Sequence, residues 1–325
     1  MTGGSGRAPN ILALIDLKPP EMMAQLCTRH HVVHAAGDGA GIGVVLTSGT
    51  RGLSRDEMAA LPDLRLIAVN GVGVDAVDLG AAAARGIAVT TTPDVLSESV
   101  AELALGLAIG VRRRIGEGER LVRSGDWAAG RKARLGQSLL GARAGILGYG
   151  RIGRRLADML RGLGVEVLYC ARAPHPDAPD AFRPDAATLA HDCETLFVTL
   201  AATPATRHIV DAQVLELLGP EGTLVNVARG SVVDSAALAD ALHRGRLGSA
   251  ALDVFETEPA GPDASDGGLL RAPNTLFTPH IASATDEARR AMAELVIANI
   301  DAHLSGAPLP SALPPAAHPA SLSPA

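Results

Sequence analysis

The chain has 325 residues, room for about two domains of ordinary size. Hydrophobic residues make up 47% and aromatic residues only 2%, so the core must be built from Ala, Val, Leu and Ile. The net charge of −6, with both signs interspersed, excludes the basic footprint of a nucleic-acid binder. The start, residues 1–10, is polar and Gly-rich and lacks the apolar stretch of a secretory signal. Cys27, Cys170 and Cys193 are scattered, with no C-x-x-C, which fits a reduced compartment. The longest strongly apolar stretch, residues 100–111, is interrupted by Glu102 and is too short to span a bilayer. A soluble, cytoplasmic protein is expected, with no nucleic-acid or membrane partner.

The first third alternates strand and helix signals. Residues 11–15, 43–46, 66–69 and 87–90 are short apolar runs that read as buried strands. Helical stretches lie between them, for example over 20–29 and 54–60. That βαβ order implies a parallel sheet with helices on both faces. A long helix is predicted over 97–124, with Ser97 or Ser99 as its cap and Glu98 and Glu102 in its first turns, where the helix dipole favours negative charge. Arg112-Arg113-Arg114 near its end reads as a solvated helix face. Trp127, the only Trp, lies just beyond. A second βαβ series starts with the run 144–147 and continues with strands predicted over 166–169, 195–199, 224–227, 250–254 and 276–277. An amphipathic helix follows over 285–304. The tail, 306–325, is rich in Pro, Ala and Ser and is expected to be extended over the surface or disordered.

Gly148-Tyr149-Gly150-Arg151-Ile152-Gly153 matches G-x-G-x-x-G, with a strand running into it and a helix running out. In that context Gly148 permits the tight turn, Gly150 lets the backbone approach a pyrophosphate, and Gly153 lets helix and strand pack closely. The pyrophosphate would sit at the positive end of the helix. An NAD site usually has an acid at the end of the next strand, for the ribose 2′-hydroxyl. Here that strand ends Tyr169-Cys170-Ala171-Arg172, with no acid. A guanidinium suits a 2′-phosphate, so NADP(H) is favoured and NAD(H) stays possible.

Three later segments bring one guanidinium, one carboxylate and one imidazole to the ends of apolar runs. They are Asn226-Val227-Ala228-Arg229-Gly230, Asp253-Val254-Phe255-Glu256-Thr257-Glu258-Pro259 and Thr278-Pro279-His280. Open α/β sheets build their sites at strand ends. An Arg, a Glu and a His gathered there can grip a carboxylate and move a proton. Each has a plainer reading: Arg229 as a cap for strand-end carbonyls, Glu258 as a surface acid like Glu256, His280 as a satisfied strand-end histidine. Their joint order argues against all three. His30, His31 and His34 have no clustered Cys beside them, so no metal site is expected. Ser231 lacks the G-x-S-x-G context of a hydrolase nucleophile.

With Gly71-Val72-Gly73-Val74-Asp75, Thr92-Pro93-Asp94-Val95-Leu96 and the run from Pro279 to Thr285, these motifs spread over nearly the whole chain. In this order they make the chain resemble the D-isomer-specific 2-hydroxyacid dehydrogenase family, and most closely its glyoxylate/hydroxypyruvate reductase branch. The resemblance implies an α/β protein of two doubly wound parallel-sheet domains. A flavodoxin-like substrate domain would comprise 1–97 and 286–325, and a Rossmann dinucleotide-binding domain, 98–285, would be inserted in it, with hinges near Leu96 and Ala284. It implies that Arg229 binds the substrate carboxylate and carbonyl oxygen, that His280 protonates the C2 oxygen, and that Glu258 orients the ring and favours imidazolium. It places Asp253 near the nicotinamide, Ala171, Arg172, Val227 and Ala228 among the cofactor contacts, and the Val72 and Gly73 backbone N–H groups on the substrate carboxylate. Ala282 stands where many relatives have Gly. The expected activity is NADPH-preferring reduction of a small 2-oxo acid to the D-2-hydroxy acid. The expected assembly is a homodimer joined through the nucleotide domain, with Trp127 either reaching the partner's site or packing at the interface. NAD-dependent oxidation of 3-phosphoglycerate, a larger 2-hydroxy acid or phosphite is the competing enzyme reading. A dinucleotide-sensing scaffold is the reading from another class, and the intact trio argues against it.

Overall fold

The computed structural model describes residues 9–261 and 266–314. The chain divides into two compact units, one of residues 1–96 and 283–325, the other of residues 97–282.

The first unit begins β1 (Asn10–Ala13), α1 (Pro20–Arg29), β2 (Val32–Val33), β3 (Ile42–Thr47), α2 (Arg55–Ala59), β4 (Leu66–Val69), α3 (Leu79–Ala84) and β5 (Ala88–Thr90). The strands pair in the order β2-β1-β3-β4-β5, all parallel, which is the flavodoxin-like order. Successive residues of each strand feed opposite faces, as the pleat requires. Ile11, Val44, Leu46, Leu66 and Ala68 join one core, while Leu12, Val45, Ile67 and Val69 join the other. Both faces are therefore covered, which is why these strands are apolar throughout rather than alternating. The final helix, Asp286–Ser305, returns to this unit and places Ala293, Val296, Ile297 and Ile300 in the first core, beside Met22 and Leu26 of α1. Thr285 caps it through the Ala288 N–H. Past this helix, Ser311 and Ala312 pair with the edge of β5, and Leu313 N–H donates to Val89 O at 2.8 Å. The tail thus begins as an edge cover, because an open strand edge leaves backbone groups unpaired. The expectation for residues past 314 lies outside the described residues.

The second unit contains α4 (Ser97–Arg112), α5 (Ile115–Arg123), β6 (Arg143–Leu147), α6 (Arg151–Gly162), β7 (Glu166–Cys170), β8 (Ala181–Arg183), α7 (Ala186–Asp192), β9 (Thr195–Val198), α8 (Ala212–Leu218), β10 (Thr223–Asn226), α9 (Ser235–His243), β11 (Ser249–Leu252) and β12 (Thr275–Phe277). Its seven strands run parallel in the order β12-β11-β10-β9-β6-β7-β8, the dinucleotide-binding order with one strand added. Strand order reverses between β6 and β9, the switch point where such sheets open a crevice.

The single helix predicted over 97–124 is two. Arg114 sits between them in the left-handed region, at φ 55°. The basic run that reads as a solvated face accounts for the break. Arg112 is buried, and its guanidinium donates to Ser138 O, Thr195 Oγ1 and Thr223 Oγ1. Arg114 donates to Leu135 O and, at 2.8 Å, to Asn274 Oδ1. Holding both guanidiniums on their carbonyl and hydroxyl acceptors turns the chain out of α4. No helix among the described residues is long and apolar enough to cross a membrane.

Candidate active site

The glycine loop follows β6. Gly148 has φ 104°, and a Cβ there would lie 2.5 Å from Leu200 N. Its N–H donates to Cys170 O at 2.9 Å and its carbonyl accepts Thr199 Oγ1 at 2.7 Å, so β7 and the segment after β9 fix the turn. A Cβ on Gly153 would lie 2.2 Å from Gly148 O. A Cβ on Gly150 would meet nothing within 4 Å. Gly150 is also the N-cap of α6 and gives no side-chain cap, so the first N–H groups of the helix lack the partner a side chain would supply. Open space over uncapped N–H donors at a helix N-terminus fits a pyrophosphate.

Tyr149 is different. Its ring lies over Tyr169, with centroids 4.1 Å apart, and its hydroxyl donates to Asp180. Burial and that carboxylate push the phenol up to about 12. The side chain therefore faces β7 and only its backbone is left for a ligand, as with the buried Val227 and Ala228. At the end of β7, Arg172 is exposed and makes no hydrogen bond or ion pair among the described residues. The one carboxylate of β7, Glu166, is at the opposite end of the strand, so no acid of β7 sits beside Arg172.

The loops after β10, β11 and β12 rise from three neighbouring strands. Asn226, the last residue of β10, shapes the first of them: its Oδ1 accepts Ala228 N–H and its Nδ2 donates to Arg229 O, both at 3.0 Å. Arg229 then donates through Nη1 to Ala228 O at 2.7 Å. Gly230 abuts the next loop so closely that a Cβ would fall 1.9 Å from the carbonyl carbon of Phe255. Phe255 N–H donates to Glu258 Oε1 at 2.9 Å, and His280 Nδ1 lies 2.7 Å from Glu258 Oε2. Burial pushes the Glu258 carboxyl up, but His280, the Phe255 N–H and the charge of Arg229 together pull it below its ordinary value. An ionised Glu258 makes Nδ1 the donor and leaves His280 Nε2 with no partner among the described residues. Glu256 is engaged elsewhere, binding His208 at 3.0 Å and Ser235 N–H at 3.1 Å.

Asp253 anchors the loop that carries His280. It is fully buried, and its carboxylate accepts from Thr278 Oγ1 at 2.6 Å, Ile281 N–H at 2.9 Å and Ala282 N–H at 2.8 Å. His280 N–H donates to Asp253 O at 2.8 Å. These bonds hold His280 at φ 53°, a left-handed conformation unfavourable for a side chain of this size. The Ala282 methyl is buried in the same turn. Thr278 and Asn226 are thus the positioning residues that residue types alone did not reveal, since both read as ordinary strand-end polar groups. Val72 and Gly73 belong to the other unit, in the loop after β4. Within that unit their loop packs on the one after β3: a Cβ on Gly49 would lie 2.5 Å from Gly73 O. His30 pairs with Asp301 and His31 with Asn10.

A family profile described as D-isomer specific 2-hydroxyacid dehydrogenase, NAD binding domain, matches residues 105–282. Glyoxylate/hydroxypyruvate reductase A of Arabidopsis thaliana is 42% identical over 265 residues, covering 82% of this chain and 83% of its own length. Hydroxyphenylpyruvate reductase of Plectranthus scutellarioides is 40% identical over 268 residues, covering 82% and 84%. Among solved structures, an NADPH-dependent glyoxylate/hydroxypyruvate reductase of Sinorhizobium meliloti, in complex with NADP and malonate, superposes with a TM-score of 0.88 at 37% identity, over 95% of this chain and 98% of that one.

Proposed function

The chain belongs to the D-isomer-specific 2-hydroxyacid dehydrogenase family and is an NAD(P)-dependent oxidoreductase, and from there we propose that it reduces a small 2-oxo acid of the glyoxylate or hydroxypyruvate type to the D-2-hydroxy acid, preferring NADPH. The observation that carries this is the His280–Glu258 couple at 2.7 Å, with Nε2 left over and Arg229 close enough to act on the same carboxylate electrostatically.

A bound nicotinamide cofactor supplies the hydride. The glycine loop and the N-terminus of α6 hold its pyrophosphate, Arg172 its 2′-phosphate, and the backbone around Ala171, Val227 and Ala228 flanks it. Arg229 grips the carboxylate and C2 oxygen of the substrate with a planar fork of donors, which polarises the carbonyl. His280 Nε2 gives its proton to the C2 oxygen as charge develops there, and Glu258 stabilises the imidazolium that precedes the transfer. Asp253 holds the turn that aims the ring. The protein works as a homodimer through the second unit.

A panel of glyoxylate, hydroxypyruvate, pyruvate and hydroxyphenylpyruvate, each with NADPH and NADH, tests this by loss of reduced-cofactor absorbance. Turnover is expected with the small 2-oxo acids and NADPH. Tight NADPH binding without turnover of any 2-oxo acid would point instead to a dinucleotide-sensing scaffold. Arg172→Asp is expected to shift preference toward NADH; an unchanged preference would remove Arg172 from the 2′-phosphate site.

A further inference from the structure

The corner at the end of β7 holds a guanidinium–imidazole pair besides Arg172. Arg154, in the first turn of α6, directs Nη1 at Nε2 of His175, in the loop after β7, at 3.3 Å. A guanidinium can only donate, so His175 Nε2 accepts and the ring is neutral with its hydrogen on Nδ1. That Nδ1 is buried and has no partner among the described residues. Arg154 makes no ion pair among the described residues. The imidazole is nonetheless firmly placed. Its ring meets Tyr149 edge-on with centroids 6.2 Å apart, and Tyr169 Oη accepts the His175 backbone N–H at 2.7 Å. Asp180, which takes the Tyr149 hydroxyl and Arg161 at 2.6 Å, fastens the far end of the loop.

We propose that Arg154 and His175 complete the 2′-phosphate site with Arg172, and that His175 takes up a proton as NADPH binds, so that selectivity for NADPH over NADH rises as pH falls. This rests on the NADPH reading above. A phosphate monoester brings about −1.5 to −2 charges and three acceptor oxygens, enough to turn a guanidinium–imidazole contact into two cations facing one dianion. Arg154 on α6 is the cation that faces the ring. Arg161, farther along α6, is matched by Asp158 and Asp180. Tyr149 on the glycine loop and Tyr169 on β7 present rings and hydroxyls. Arg172 and Asp177 lie in the same loop as His175, one of each sign. Imidazole is the side chain that changes charge between about pH 5 and 8. The phosphate itself gains a proton near pH ~6, so the gain levels off there.

The test is the dissociation constant of NADPH and of NADH from the full chain between about pH 6 and 8.5, followed by nicotinamide fluorescence, with proton uptake measured by calorimetry in two buffers of different ionisation heat. NADPH binding is expected to weaken roughly tenfold from pH 6.5 to 8.5, the size of one unit of proton linkage, while NADH binding stays level. His175→Gln should abolish both the pH slope and the proton uptake. Arg154→Gln should weaken NADPH at every pH and leave NADH unchanged, the NADH arm showing that the variant is folded. NADPH bound more tightly than NADH, but with a level pH profile and no proton uptake, overturns this inference alone. NADPH bound no more tightly than NADH at any pH overturns the 2′-phosphate reading and this inference with it.

Discussion

At the scale of single residues, the catalytic proposal turns on which nitrogen of one imidazole is already engaged. Glu258 holds Nδ1 of His280, so proton transfer is assigned to Nε2. His280→Ala should lower kcat on the order of 10²–10⁴-fold while cofactor affinity stays within twofold or so, measured by steady-state rates and NADPH titration. Near-normal turnover would remove His280 as the proton donor. The depressed Glu258 carboxyl has a definite sign. Its ionised form is favoured by the fold, so its contribution is complete above the ordinary carboxylate range and lost only as pH falls through its lowered value. At neutral pH it is a fixed anion. Tyr149 has the opposite sign. Its phenol is raised to about 12, so its contribution is complete below the ordinary value near 10 and disappears as pH climbs toward 12. The chain has two tyrosines, so subtracting the phenolate absorbance of Tyr149→Phe from that of the wild type isolates this one group. Ionisation near pH ~10 in that difference would show that Asp180 does not hold the hydroxyl.

At the scale of the element, the glycine loop separates two needs that one motif combines. Gly153→Ala forces a methyl to within 2.2 Å of Gly148 O, so the second unit should be destabilised by a few kcal/mol even without ligand. Gly150→Ala meets no atom within 4 Å, so its melting temperature should match the wild type while NADPH binding is lost. Thermal melts with cofactor titrations check both, and a Gly150→Ala protein that binds NADPH normally would contradict the pyrophosphate placement. Elements with a strong period are legible in the chain: α1 over 20–29 and β4 over 66–69 stand where the pattern puts them. β2 and β8, of two and three residues, lie outside every predicted run. The break between α4 and α5 is also invisible there. It depends on where Arg112 and Arg114 find acceptors, in segments as distant as Thr223 and Asn274.

At the scale of the whole molecule, exposed apolar surface supports the proposed homodimer. Six of the ten exposed large apolar side chains among the described residues fall within 109–140: Ile109, Ile115, Val122, Trp127, Leu135 and Leu140. α5 buries none of its residues. An amphipathic helix that leaves Ile115 and Val122 exposed is expected to cover them with a second copy. Ile115→Glu with Val122→Glu should convert the dimer to a monomer in sedimentation velocity, and a wild type that sediments as a monomer would refute the assembly. Two parallel sheets are foreseeable, because strands buried on both faces must be apolar throughout, and that pattern is written in the chain. The reaction class is foreseeable too, because an Arg, a Glu and a His in fixed order at strand ends limit the chemistry. What the sequence cannot express is which atoms of those residues are already in use. Asp253, expected at the nicotinamide, also anchors the His280 turn, and the Tyr149 side chain, inside the nucleotide-loop motif, also braces β7. A motif states residue types at a spacing along the chain. Whether a carboxylate or a hydroxyl faces a ligand or a neighbouring backbone N–H is decided only when distant segments meet in three dimensions.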